Sequence, residues 1–84
     1  MEQKLLMQLL EQIYMLNDMK GKNRAALKLN TKAIYIAIYS NFFEDLDISE
    51  TVQITFGKYK TNTELKEAYN TILYYISQNS KWKR

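Results

Sequence analysis

Eighty-four residues carry twelve Lys and Arg against nine Asp and Glu, with no His, Cys or Pro, for a formal net charge of +3. A chain this short buries only about 60–65% of the surface it exposes when unfolded. It is therefore expected to form one domain, 1–84, with 79–84 a basic flexible tail. The missing Cys rules out disulfides and thiolate metal sites, and the missing His removes the commonest general base and metal ligand.

Hydrophobic content of 46% and aromatic content of 13% are too high for a disordered chain. The longest apolar run, Ala33–Tyr39, is far short of the roughly 20 residues a membrane span needs. Glu2 directly follows Met1 and no small-residue cleavage pattern comes after it, so a secretory signal is not expected. The expectation is a cytoplasmic domain.

Glu2 to about Met19 reads as an amphipathic helix. Leu5, Leu6, Leu9, Leu10, Ile13 and Leu16 recur every three or four residues, opposite Lys4, Gln8, Glu11, Gln12 and Asp18. Lys20 and Gly21 suit its end: a cation at the carbonyl terminus, then a residue that tolerates positive φ.

From Thr31 to about Leu46 a second helix is predicted, with Asn30 or Thr31 as its cap and Tyr35, Ile38, Tyr39, Phe42, Phe43 and Leu46 on its apolar side. The β-formers of 33–39 also fit a buried strand. Thr51–Phe56 alternates polar and apolar in period two, a strand pattern. It competes with a short helix built on Ile48, Val52, Phe56 and Tyr59, which is favoured because the strand's partner would have to be Ala25–Leu29 or a second chain. Thr61 to Glu64 matches a capping box. It opens a helix to about Gln78 with Leu65, Ala68, Tyr69, Ile72, Tyr75 and Ile76 on one stripe.

The expected fold is thus mainly α, a small bundle of three principal helices plus a short fourth element. The alternative is a small α+β domain with a hairpin or sheet from residues 24–30 and 51–57.

Catalysis has little to stand on. No Ser-x-x-Lys or Gly-x-Ser-x-Gly occurs, and Gly21 and Gly57 lie too far apart for a phosphate-cradling loop. Asp45, Asp47 and Ser49 resemble the opening of a calcium loop. Glu50 stands where that loop needs Gly, and Phe56 where it needs a bidentate Glu. No enzyme activity, cofactor or metal is expected.

Charge, by contrast, is segregated. Lys20, Lys22, Arg24, Lys28 and Lys32 form a basic run, and Glu44, Asp45, Asp47 and Glu50 an acidic one. Lys81, Trp82, Lys83 and Arg84 end the sequence. The basic groups can meet phosphates, the Trp can stack on a base or sit at an anionic membrane, and closely spaced carboxylates can imitate a phosphate backbone. Tyr74 falls on the polar side of the last helix, so it is a candidate contact residue. The bland account is that turns and chain ends are charged because they are solvated.

Together these features favour a non-enzymatic protein that occludes a macromolecular partner. It would be a regulator, inhibitor or immunity-type factor of the sort carried by mobile elements, with a protein as the foremost partner. Two alternatives are a homodimeric nucleic-acid-binding regulator and a membrane-proximal helical protein with a basic Trp-containing tail.

Overall fold

A computed structural model describes residues 3–40, 47–57 and 61–81. The order of elements is α1 (Gln3–Asp18), β1 (Arg24–Leu29), β2 (Ala33–Tyr39), β3 (Glu50–Thr55) and α2 (Thr61–Ser80). The strands form one antiparallel sheet in the order β1-β2-β3. The fold is α+β, which overturns the helical bundle.

The correction centres on β2. In it Ile34, Ile36 and Ile38 are buried while Tyr35, Ala37 and Tyr39 are half-buried, the period of a strand with apolar groups on both faces. Such a strand lacks the polar alternation that separates strand from helix, so the run was equally compatible with a helical stripe. Asn30 deepens the ambiguity. Its Oδ1 accepts the N–H groups of Lys32 at 2.8 Å and Ala33 at 2.9 Å, the bonding of a helix cap. Here the same bonds close the β1–β2 turn as an Asx motif, with Asn30 N–H donating to the Ala33 carbonyl at 3.0 Å.

The α+β alternative also needs correcting. Its two segments do contain strands, but β1 and β3 do not pair with each other. Each pairs with β2, Leu27 opposite Ile36 on one side and Val52 opposite Ile36 on the other.

One face of the sheet is covered. Leu9, Ile13 and Leu16 of α1 and Leu65, Ala68 and Ile72 of α2 close over Ala25, Ile34, Ile36, Ile38 and Ile54 in a single core. Asn17, in the last turn of α1, bonds Ala25 near the start of β1. Thr61 opens α2 beside Thr55 at the end of β3, and Asn79 near the end of α2 bonds Asn23 just ahead of β1. Both helices therefore run in the same direction and finish at the same end of the sheet. α2 continues past the expected Gln78 to Ser80, because Asn79 is buried there rather than frayed. No helix among the described residues is long and apolar enough to cross a membrane.

The helices also finish the sheet's edges. The Asn17 side-chain amide donates to the Ala25 carbonyl and accepts its N–H, both at 2.8 Å. On the opposite edge Thr61 Oγ1 donates to the Thr55 carbonyl at 2.7 Å, and Glu64 Oε1 accepts the Thr55 N–H at 3.2 Å. The capping-box residues thus reach across to β3. Each edge strand has one residue whose outward backbone groups are held by a helix side chain, which limits the stretch available for pairing with another chain.

Candidate functional site

The sheet face turned away from the helices is built from the alternate residues of the same register. Lys28, Tyr35 and Gln53 form one row, Ala26, Ala37 and Thr51 the next, and Arg24 with Tyr39 a third. Among the described residues no helix covers this face and no carboxylate stands on it. The two tyrosines project from the central strand about 13 Å apart, four residues at strand rise, with a shallow strip of small side chains between them. Half-buried tyrosines offer a large planar surface at low entropic cost, with a polar tip.

The cations differ in their freedom. Arg24 is half-buried, and its guanidinium donates to the carbonyls of Gly21 and Asn23, both at 2.8 Å. Lys28 is exposed on the open face, and Lys32 is exposed in the β1–β2 turn. Lys20 and Lys22 lie in the segment that follows α1, and Lys22 stands near Gln78 and Asn79 at the end of α2.

A second feature sits at that same end. Lys22, Asn23, Ser40, Tyr74, Tyr75, Gln78, Asn79 and Lys81 line an open cleft of about 530 Å³. Tyr74 and Tyr75 meet edge to face, with ring centroids 5.2 Å apart and planes at 83°. The Tyr75 hydroxyl donates to Glu50 Oε1 at 2.8 Å. Burial, then the Glu50 hydrogen bond and the negative charge beside it, push the phenol up to about 12. Because Ser40 follows Tyr39 and Asn23 precede Arg24, the cleft opens where the Arg24–Tyr39 row ends.

The fold therefore separates the residues that the charge pattern had grouped. Lys22, Tyr74 and Lys81 converge on the cleft, Arg24 and Lys28 share the sheet face, and Lys20 and Lys32 stand at opposite ends of the molecule. Of the acidic run, Asp47 is exposed and Glu50 is tied to Tyr75. Glu44, Asp45, Trp82, Lys83 and Arg84 lie outside the described residues. Sequence reading missed Tyr35, Tyr39 and Gln53 as surface groups. Placing 33–39 in a helix sent both tyrosines to the core, and the period-two split of that run was the signal that could have found them.

Among the described residues no cluster of three or more His, Cys, Asp or Glu could hold a metal ion. No family model matches the chain, and no curated protein or solved structure matches it either.

Proposed function

We propose that this chain is a non-catalytic binding protein whose open sheet face takes single-stranded nucleic acid. One observation carries the reading: Tyr35 and Tyr39 stand on the same uncovered face of the central strand, four residues apart with Ala37 between them, with Lys28 and Arg24 on the neighbouring strand and no carboxylate on the described part of that face. Aromatic rings accept unstacked bases, each worth about 1–3 kcal/mol, while flanking cations follow the phosphates. Gln53 and Thr51 on the far strand add donors and acceptors for base edges or sugars. A duplex keeps its bases stacked inside and gains nothing from the tyrosines, so the single strand is the better fit. Occupying a strand in this way blocks other proteins from it, which gives a regulator acting by occlusion. The phosphate-mimic version of that idea has less support, since Glu50 is committed to Tyr75.

The test is fluorescence anisotropy with labelled single-stranded and duplex oligonucleotides of the same sequence, at low and moderate salt. Single strands should bind more tightly. Affinity should fall with salt at a log–log slope of about −0.7 per phosphate neutralised, and Tyr35→Ala with Tyr39→Ala should abolish the preference. Equal affinity for both forms, unaffected by the tyrosine changes, defeats the reading.

A further inference from the structure

We propose that β1 is a self-association edge, where a second copy of this chain adds its own β1 in antiparallel pairing. This inference is independent of the nucleic-acid reading, since it rests on the edge of the sheet rather than on its open face.

The bonding phase of β1 is fixed by its turn. Asn30 bonds Ala33 across the ladder, so Lys28, Ala26 and Arg24 turn their backbone groups toward β2, while Leu29, Leu27 and Ala25 turn theirs outward. The Asn17 amide already holds both outward groups of Ala25. Those of Leu27 and Leu29 have no partner among the described residues. Both side chains face the helix layer yet stay open, Leu27 at 44% and Leu29 at 64% exposure.

The helix beside this edge is unfinished on the same side. Met7, Leu10 and Tyr14 are all exposed, and they share a stripe with Asn17, spaced three, four and three residues apart. Because Asn17 anchors that stripe to the start of β1, and α1 runs antiparallel to β1, the stripe extends alongside Leu27 and Leu29. An edge with open backbone groups beside apolar side chains is what native sheets otherwise cover or charge.

A second copy fits because the edge is complementary to itself under a two-fold axis. With Leu27 set opposite Leu29 of the partner subunit, the open N–H and C=O groups of both copies bond one another and none is left over. The competing register, Leu27 opposite its own copy, needs Ala25, whose groups Asn17 occupies. The favoured register doubles the sheet and brings the leucines of both chains under the two α1 stripes. It also sets Lys28 opposite the other copy's Lys28 on the open face, about 4.5 Å between Cα atoms, a like-charge pair that opposes association and is screened by salt, so the dimer should tighten as ionic strength rises.

The test is sedimentation equilibrium of the full chain at tens of micromolar, against the single-chain mass of 10.0 kDa, combined with thiol cross-linking. The chain has no Cys, so Lys28→Cys introduces a lone thiol at the two-fold axis, within disulfide reach of its copy. The expected result is twice the chain mass, reduced to one by Leu27→Lys with the circular dichroism unchanged. Lys28→Cys should cross-link on mild oxidation, while Ala26→Cys, which faces the partner's Asn30 in this register, should not. Should Leu27→Lys fail to fold, the two thiol variants decide alone. A monomer throughout overturns the proposal, as does a dimer indifferent to Leu27→Lys or equal cross-linking by both thiol variants.

Discussion

Asn23 and Asn79, fifty-six positions apart, hold each other through backbone and side chain together. Asn23 donates its N–H and its Nδ2 to Asn79 Oδ1, each at 2.9 Å, and Asn79 Nδ2 donates to the Asn23 carbonyl at 3.2 Å. Asn79 is 2% exposed and Asn23 7%, so little of either side chain can turn to water instead. The pair joins the end of α2 to the segment between α1 and β1, closing the chain's two halves on each other. Removing one member leaves buried donors and acceptors unpaired, so Asn79→Ala should cost about 2–4 kcal/mol. Urea unfolding should show a lower midpoint at an unchanged slope.

The two glycines should respond differently to Ala. Gly21 has φ +142°, and a Cβ there would overlap the Asn79 carboxamide. Gly57 has φ +73° with no described residue near its missing side chain. Gly57→Ala should therefore cost about 1–2 kcal/mol, the ordinary left-handed penalty. Gly21→Ala should cost more, because it must also dislodge the asparagine pair. Thermal melts of the two variants side by side rank them, and an equal loss would show that Asn79 gives way freely.

Tyr75 provides a pH signature. Its phenol is raised from 10.0 to about 12 by burial and by the Glu50 carboxylate that accepts its hydrogen bond. The folded state thus holds this proton more tightly than the unfolded chain. The associated stability is fully present below pH 10 and is lost as pH rises from about 10 through 12. Phenolate absorbance should show a late-titrating component that disappears in Tyr75→Phe, and that variant's stability should fall less steeply over the same interval.

On the open face, ring and hydroxyl can be separated. Tyr35→Phe keeps the stacking surface and should retain most single-strand affinity, whereas Tyr35→Ala should lose roughly 5- to 150-fold, the worth of one stacked base. Lys28→Ser should weaken binding evenly across sequences and flatten the salt dependence by about one phosphate's share. Anisotropy titrations at two salt concentrations check both.

Both helices were legible because each pairs a clean apolar stripe with chemistry at its ends: Gly21 after α1, and Thr61 with Glu64 at the start of α2. The sheet was harder, for reasons that lie in particular residues. Asn30 makes cap bonds that serve a turn as well as a helix. The β2 run is apolar on both faces, so no polar–apolar alternation marks it, only the subtler split of Ile34, Ile36 and Ile38 from the Ala and Tyr residues between them. Thr51–Phe56 does alternate, but a strand is only as convincing as its partner, and with 33–39 given to a helix the partners left were Ala25–Leu29, which pairs with β2 instead, or a second chain. The surface residues followed. Tyr74 owes its exposure to a helix whose stripe reads plainly, while Tyr35 and Tyr39 could be seen as surface groups only once β2 was a strand.

The same central strand bears on how the chain must be made. Ala33–Tyr39 is seven residues of Ala, Ile and Tyr without a charge or a Pro, the composition that stacks into cross-β fibres when left open. In the finished fold β1 and β3 occupy both of its bonding edges. During synthesis β1 and β2 emerge first, and β3 follows only after the 40–49 connection, so for that interval one edge of the most fibre-prone segment has only solvent beside it. Conditions that slow elongation past residue 55, or truncation before β3, should turn this chain from folding to aggregation.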